Sequence, residues 1–216
     1  MSALRVRGIE FYPAEIRDLL VAWGALGVAF SVFVFVATGR SVLPNLLGAV
    51  ASPLFGRVLV ASVLTVGVGF LCHELAHKVV AVRFGQRASF KADYGMLALC
   101  IGAAFAGFLF AAPGAVHHRG RVTPGQSGRI AVAGPLMNVA LLGVFVPLSV
   151  APGIVGQIGR LGTLVNAFLA AFNMIPFGPL DGRTVLSWNR VVFGVVFAGS
   201  ALLAVGAFLV VGFPAF

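Results

Sequence analysis

The sequence predicts an all-α polytopic membrane protein with five or six transmembrane helices and a re-entrant segment that can contain sheet. Three observations carry this. Of 216 residues, 60% are hydrophobic and 10% charged, with a mean hydropathy of +1.05, against roughly 45–50% apolar content in soluble domains. Six stretches approach the ~20 apolar residues that a helix needs to cross a bilayer core of about 30 Å: 19–38, 58–82, 94–116, 130–150, 161–180 and 191–216. The third observation is the placement of the 15 Lys and Arg between these stretches.

Residues 1–18 carry Arg5, Arg7, Glu10, Glu15, Arg17 and Asp18 and lack a short apolar run ending in a small-residue cleavage site. We therefore expect a retained N-terminus rather than a removed signal peptide. The stretch 19–38 is free of charge, whereas 58–82 is interrupted late by His73, Glu74, His77 and Lys78. Stretch 94–116 contains Gly95, Gly102, Gly107, Pro113 and Gly114, which cut its helical pattern into short pieces. If it crosses along with the other five, eight Lys and Arg fall on the N-terminal side and seven on the other. If it dips in and returns, twelve fall on the N-terminal side and only Arg40, Arg57 and Arg160 on the other. Twelve to three is a positive-inside asymmetry, whereas eight to seven carries no orientation. The re-entrant reading follows, with a cytoplasmic N-terminus.

The formal charge of +9 does not indicate nucleic acid, because the bases stand singly between apolar runs with no basic stripe. Cys72 and Cys100 lie inside apolar stretches and read as buried thiols, not a disulfide framework. No intervening segment is long enough for a soluble domain and no internal repeat is visible, so residues 1–216 are expected to form one membrane-embedded domain.

Of six acidic residues, Glu10, Glu15, Asp18 and Asp93 sit at the ends of apolar runs, where water is expected to reach them. Glu74 and Asp181 fall within or at the edge of apolar segments, where an ionised group costs ~3 kcal/mol or more and function is the default explanation. Glu74 belongs to His73-Glu74-Leu75-Ala76-His77, an HExxH pattern. On a helix its two imidazoles are about 40° apart on one face and reach one Zn²⁺, with Glu74 placed to take a proton from the attacking water. Catalytic zinc takes three protein ligands. His117 and His118, beside Arg119 and Arg121, read as solvated loop residues. Asp181 is the better third ligand. It lies in Asn173-Met174-Ile175-Pro176-Phe177-Gly178-Pro179-Leu180-Asp181-Gly182, where two prolines leave non-helical backbone at membrane depth. The same segment also reads as an ordinary exit turn with a solvated Asp.

Three motifs in order resemble the site-2 protease family of intramembrane zinc metalloproteases: HExxH at 73–77, Ala133-Gly134-Pro135-Leu136-Met137-Asn138 as an AGPxxN motif, and 173–182 as NxxPxxxLDG. The resemblance covers about 58–183. It implies that His73, His77 and Asp181 bind one Zn²⁺ and that Glu74 is the general base. It also implies that Asn173 positions substrate or stabilises the transition state, while Gly134, Pro135, Asn138, Pro176 and Gly182 support the site. The implied substrate is a single-span membrane protein, cut within or near its transmembrane helix in regulated intramembrane proteolysis, often after trimming on the outer face. The implied active site lies toward the cytoplasmic side. Relatives carry sheet-like segments after HExxH, and 110–116 looks like part of one. The chain has no room for the PDZ or cystathionine-synthase-type modules of many relatives. A membrane zinc transporter would also explain buried ligands, but does not require Glu74 between the histidines. A catalytically silent helix-binding adaptor would not require intact HExxH and LDG.

Overall fold

The computed structural model describes residues 3–39, 46–109 and 113–212. An antiparallel hairpin, β1 (Leu4–Val6) and β2 (Ile9–Phe11), precedes α1 (Pro13–Ala37). After the short α2 (Leu46–Val50), one continuous 31-residue helix, Pro53–Arg83, comprises α3 (Pro53–Ser62), a π-helical turn (Val63–Gly67) and α4 (Val68–Arg83). Then follow β3 (Arg87–Ala92), α5 (Tyr94–Phe105), β4 (Gly114–Arg119), α6 (Pro124–Ser149), α7 (Gly153–Asn173), α8 (Asp181–Trp188) and α9 (Arg190–Val211). Among the described residues five helices are long and apolar enough to cross a membrane: α1, Pro53–Arg83, α6, α7 and α9. The chain is a multi-pass membrane protein.

Local chemistry sets the helix starts. Pro13 and Pro53 occupy first-turn positions where a missing N–H costs nothing. Ser52 caps α3, Thr123 and Gln126 form a reciprocal capping box on α6, and Asn189 accepts from Val191 and Val192 at the start of α9. The helix expected over 161–180 starts earlier, at Gly153, and stops at Asn173. Arg160 lies inside it because its guanidinium reaches the Ser149 carbonyl at the end of α6.

The glycine-rich stretch does not cross. β3 and β4 pair antiparallel from Arg87 opposite Arg119 to Ala92 opposite Gly114, so the chain returns beside the point where it left. α5 has 12 residues and spans about 18 Å, well short of the bilayer core. Of the expected 110–116 element, residues 110–112 lie outside the described residues and the rest begins β4. His117 and His118 therefore stand on a strand, His117 exposed and His118 half-buried, rather than in a loop.

The largest apolar cluster joins α1, α3, the π turn, α4, α5, β3 and α7 through residues such as Leu26, Phe30, Phe55, Val66, Phe70, Phe90, Leu97 and Leu161. α9, by contrast, buries only 6% of its apolar window, as a helix facing lipid would. Cys100 is buried and Cys72 half-buried, and neither is in a disulfide.

Two acids expected at the water boundary are buried: Glu15 at 2% exposure and Asp18 at 6%. They have partners that sequence separation hid. Glu15 receives both its oxygens' bonds from Lys78 of α4, at 2.6 Å each, and one from the Phe90 amide. Asp18 accepts from the Ala92 amide, the Tyr94 hydroxyl and Arg17. Carboxylates one turn apart on α1 thus satisfy alternate amides on the outer edge of β3, which would otherwise be unpaired and buried.

Candidate metal centre

α4 projects its two imidazoles toward α6, and each ring is fixed from the side away from its partner. His73 Nδ1 lies 2.7 Å from Asn138 Oδ1 of α6, and His77 Nδ1 donates to the Ile130 carbonyl at 2.7 Å. Both oxygens accept, so each Nδ1 carries its hydrogen and each Nε2 presents a lone pair. Those two Nε2 atoms are 3.0 Å apart. Asp181 Oδ2 completes a triangle, 3.2 Å from His73 Nε2 and 3.4 Å from His77 Nε2.

Asp181 is the first residue of α8, a helix of its own, rather than a residue near the end of the preceding one. α7 ends at Asn173 and residues 174–180 are non-helical, as Pro176 and Pro179 require. α8 is then set against α6: Val185 is fully buried among Ala131, Val132 and Met174, and the Trp188 ring lies against Gly128, leaving no room there for a β-carbon. Gly182 is similarly required, since a β-carbon would collide with the Met174 and Ile175 carbonyls. This packing holds the carboxylate over the histidine pair.

Gly134 and Pro135 shape the opposite wall. A β-carbon at Gly134 would stand 2.5 Å from both His73 Nε2 and His77 Nε2, so only glycine leaves the space between the donors open. Pro135, fully buried within α6, lacks the N–H that would engage the Ala131 carbonyl, next to the Ile130 carbonyl that receives His77.

Three donor atoms on a tetrahedral ion with bonds of about 2.0–2.1 Å stand about 3.3 Å apart. The separations of 3.0, 3.2 and 3.4 Å match this edge length. Asp181 Oδ2 is also buried without a hydrogen-bond donor, an arrangement that is costly unless a cation satisfies it. Two imidazole nitrogens and one carboxylate oxygen form a borderline-hard set of the kind zinc takes with a fourth position open. The residues present fit the ion.

Glu74, 8% exposed, lies beside the group, in electrostatic contact with both histidines and Asp181. Asn173, in the last turn of α7, donates its amide to the Leu169 carbonyl of its own helix. Pro176 is exposed in the 174–180 segment. The residue that sequence reasoning passed over is Asn166, fully buried on α7 and bonded to Asn138. Its signal was available: an amide in the middle of an otherwise apolar stretch needs a partner.

A protein of Methanocaldococcus jannaschii, provisionally named zinc metalloprotease MJ0611, is 43% identical over 144 residues, 64% of this chain and 75% of that protein. The provisionally named zinc metalloprotease Rip3 of Mycobacterium tuberculosis is 27% identical over 179 residues, 79% of this chain but 41% of that longer protein. YwhC of Bacillus subtilis, provisionally named in the same way, is 32% identical over 149 residues, 57% of this chain and 66% of its own. No family model and no solved structure matches the chain.

Proposed function

Because the chain belongs to the site-2 protease family of zinc metalloproteases, we propose that it hydrolyses a peptide bond within or near the transmembrane helix of a single-span membrane protein. Zinc is the cofactor. The observation that carries the proposal is the convergence of His73 Nε2, His77 Nε2 and Asp181 Oδ2 on one point beside the Glu74 carboxylate, within a membrane-spanning helix bundle.

His73, His77 and Asp181 hold the ion, which when bound supplies a Lewis acid that polarises the scissile carbonyl and acidifies water. Glu74 takes up the proton of the attacking water at its carboxylate and returns it to the leaving amine nitrogen. The near-complete burial of both imidazoles and Glu74 excludes bulk water and strengthens each of these interactions. A substrate helix hides its carbonyls in i to i−4 bonds and has to unwind before attack. In this reading Asn173 releases Leu169 and, with the non-helical segment at Pro176, holds the unwound strand. The twelve-to-three arginine and lysine asymmetry supports a cytoplasmic N-terminus and an active site toward that side, where β3, β4 and the 174–180 segment lie together with the basic residues. Cleavage there releases a fragment into the cytoplasm, the outcome regulated intramembrane proteolysis requires.

The test is purified wild type and Glu74→Gln, each incubated with a helical single-span substrate, with fragments mapped by mass. Wild type is expected to cut at a bond within or near the apolar span, and Glu74→Gln to bind zinc and leave substrate intact. Equal cleavage by Glu74→Gln, or zinc-loaded wild type that cuts no such substrate, would refute the proposal.

A further inference from the structure

We infer that Asn166 of α7 is a positioning residue of the metal centre, acting on His73 through Asn138 by fixing which end of the Asn138 amide faces the imidazole. The inference rests on the zinc reading above and goes beyond it to a residue that contacts none of the three donors.

An amide side chain can point either way in its slot, and the two orientations have opposite consequences here. With Oδ1 toward His73, Asn138 accepts from Nδ1–H and leaves the Nε2 lone pair for the metal. With Nδ2 toward His73, it donates to Nδ1, moves the ring hydrogen to Nε2 and removes a ligand. What selects the first orientation lies on the far side of Asn138. Its Nδ2 donates to Asn166 Oδ1 at 2.9 Å and to the Gly69 carbonyl at 3.2 Å. Asn166 is itself held the right way round, because its Nδ2 donates to the Gly162 carbonyl at 2.9 Å, and a carbonyl only accepts. Direction therefore passes from a backbone oxygen on α7 through two amides to the imidazole on α4: Asn166 Nδ2 to Gly162, Asn138 Nδ2 to Asn166, His73 Nδ1 to Asn138.

Both asparagines have zero exposure, so water does not substitute for a missing partner. Of the other side chains buried around Asn166 on α7, Leu161, Val165, Ala167 and Ala170 offer no acceptor, and the Thr163 hydroxyl, though buried, makes no hydrogen bond to Asn138 or to any other group. Space is reserved for it as well: a β-carbon at Gly69, one turn before His73, would stand 2.6 Å from Asn166 Oδ1. Without Asn166, only the longer bond to Gly69 biases the Asn138 amide, and the His73 tautomer is no longer enforced.

The experiment measures zinc affinity by chelator competition, with the visible spectrum of the Co²⁺-substituted protein as a second readout, on wild type, Asn166→Leu, Asn166→Asp, Asn138→Leu and the double variant Asn138→Leu/Asn166→Leu. Asn166→Leu is expected to weaken zinc about tenfold or more and to alter the Co²⁺ spectrum. The double variant is expected to bind no more weakly than Asn138→Leu alone, because Asn166 acts only through Asn138. Asn166→Asp is expected to retain near-wild-type affinity, since a buried acid stays protonated and offers the same acceptor and donor. Wild-type affinity in Asn166→Leu, or a double variant weakened by the product of the single effects, would overturn the inference while leaving the zinc site standing. Wild type without stoichiometric zinc would instead overturn the zinc reading itself. If Asn166→Leu fails to fold, the ring nitrogen resonances of His73 in metal-free wild type decide: hydrogen on Nδ1 supports the inference and hydrogen on Nε2 alone overturns it.

Discussion

At the scale of single residues the site is defined as much by what is missing as by what is present. Gly134 exposes the strongest case, since one methyl group there would occupy the volume between the two Nε2 atoms. Gly134→Ala is expected to lower zinc affinity at least 100-fold while circular dichroism and the elution volume in detergent stay unchanged; stoichiometric, tightly held zinc would show that α6 gives way at that point. The donors were legible because HExxH places two imidazoles one turn apart whatever the fold, and because a lone Asp at the edge of an apolar run demands a reason. Asn173 was legible as a motif position only, and in the structure its amide is bonded to the Leu169 carbonyl of its own helix. Asn166 was overlooked because an amide in an apolar stretch signals only that it needs a partner, not that the partner is Asn138, 28 positions away on α6.

At the scale of elements, the hairpin of β3 and β4 is held in place by α1 and α4 rather than by its own two strands, which alone would be marginal. Lys78 is 1% exposed in its side chain and Glu15 0%, with the ammonium also bonded to the Glu10 carbonyl and seated 3.9 Å from the Phe11 ring centroid. Removing one partner of such a pair leaves an uncompensated buried charge, so Lys78→Met is expected to cost about 3–5 kcal/mol of stability. Glu15→Gln/Lys78→Met, which keeps an acceptor for the Phe90 amide and removes both charges, is expected to cost less than Lys78→Met alone. Unfolding in mixed detergent checks both; a loss below about 0.5 kcal/mol in Lys78→Met would mean that the pair behaves as a solvated one. Sequence alone placed Glu15 and Asp18 in water because it reads burial from neighbours along the chain, whereas their partners lie 63 and 74 positions away. The π turn was hidden for the same reason. Nothing in Val63-Leu64-Thr65-Val66-Gly67 marks it, and the Val63 carbonyl is met by the Trp23 indole of α1 at 3.0 Å. A π turn adds a residue and so rotates all of α4, His73 and His77 included, relative to α3.

At the scale of the whole molecule, apolar length and basic asymmetry were enough to find five crossings and one returning segment, because bilayer thickness and charge placement act on each segment separately. The expected orientation is checked by single cysteines in a background lacking Cys72 and Cys100. His117→Cys is expected to react from the side of the N-terminus and Ile154→Cys, in the first turn of α7, from the opposite side; labelling of both from one side would contradict the topology. The same arrangement brings α4 and α7 across the bundle in one direction, with α6 returning between them, so that side chains 108 positions apart come within 3.2 Å of each other. X-ray absorption at the zinc edge of the purified wild type tests that meeting most directly. One zinc per chain is expected, with two imidazole nitrogens and carboxylate or water oxygens at about 2.0–2.2 Å. A sulfur scatterer at about 2.3 Å, from Cys72 beside His73, or a spectrum unchanged in Asp181→Ala, would contradict it.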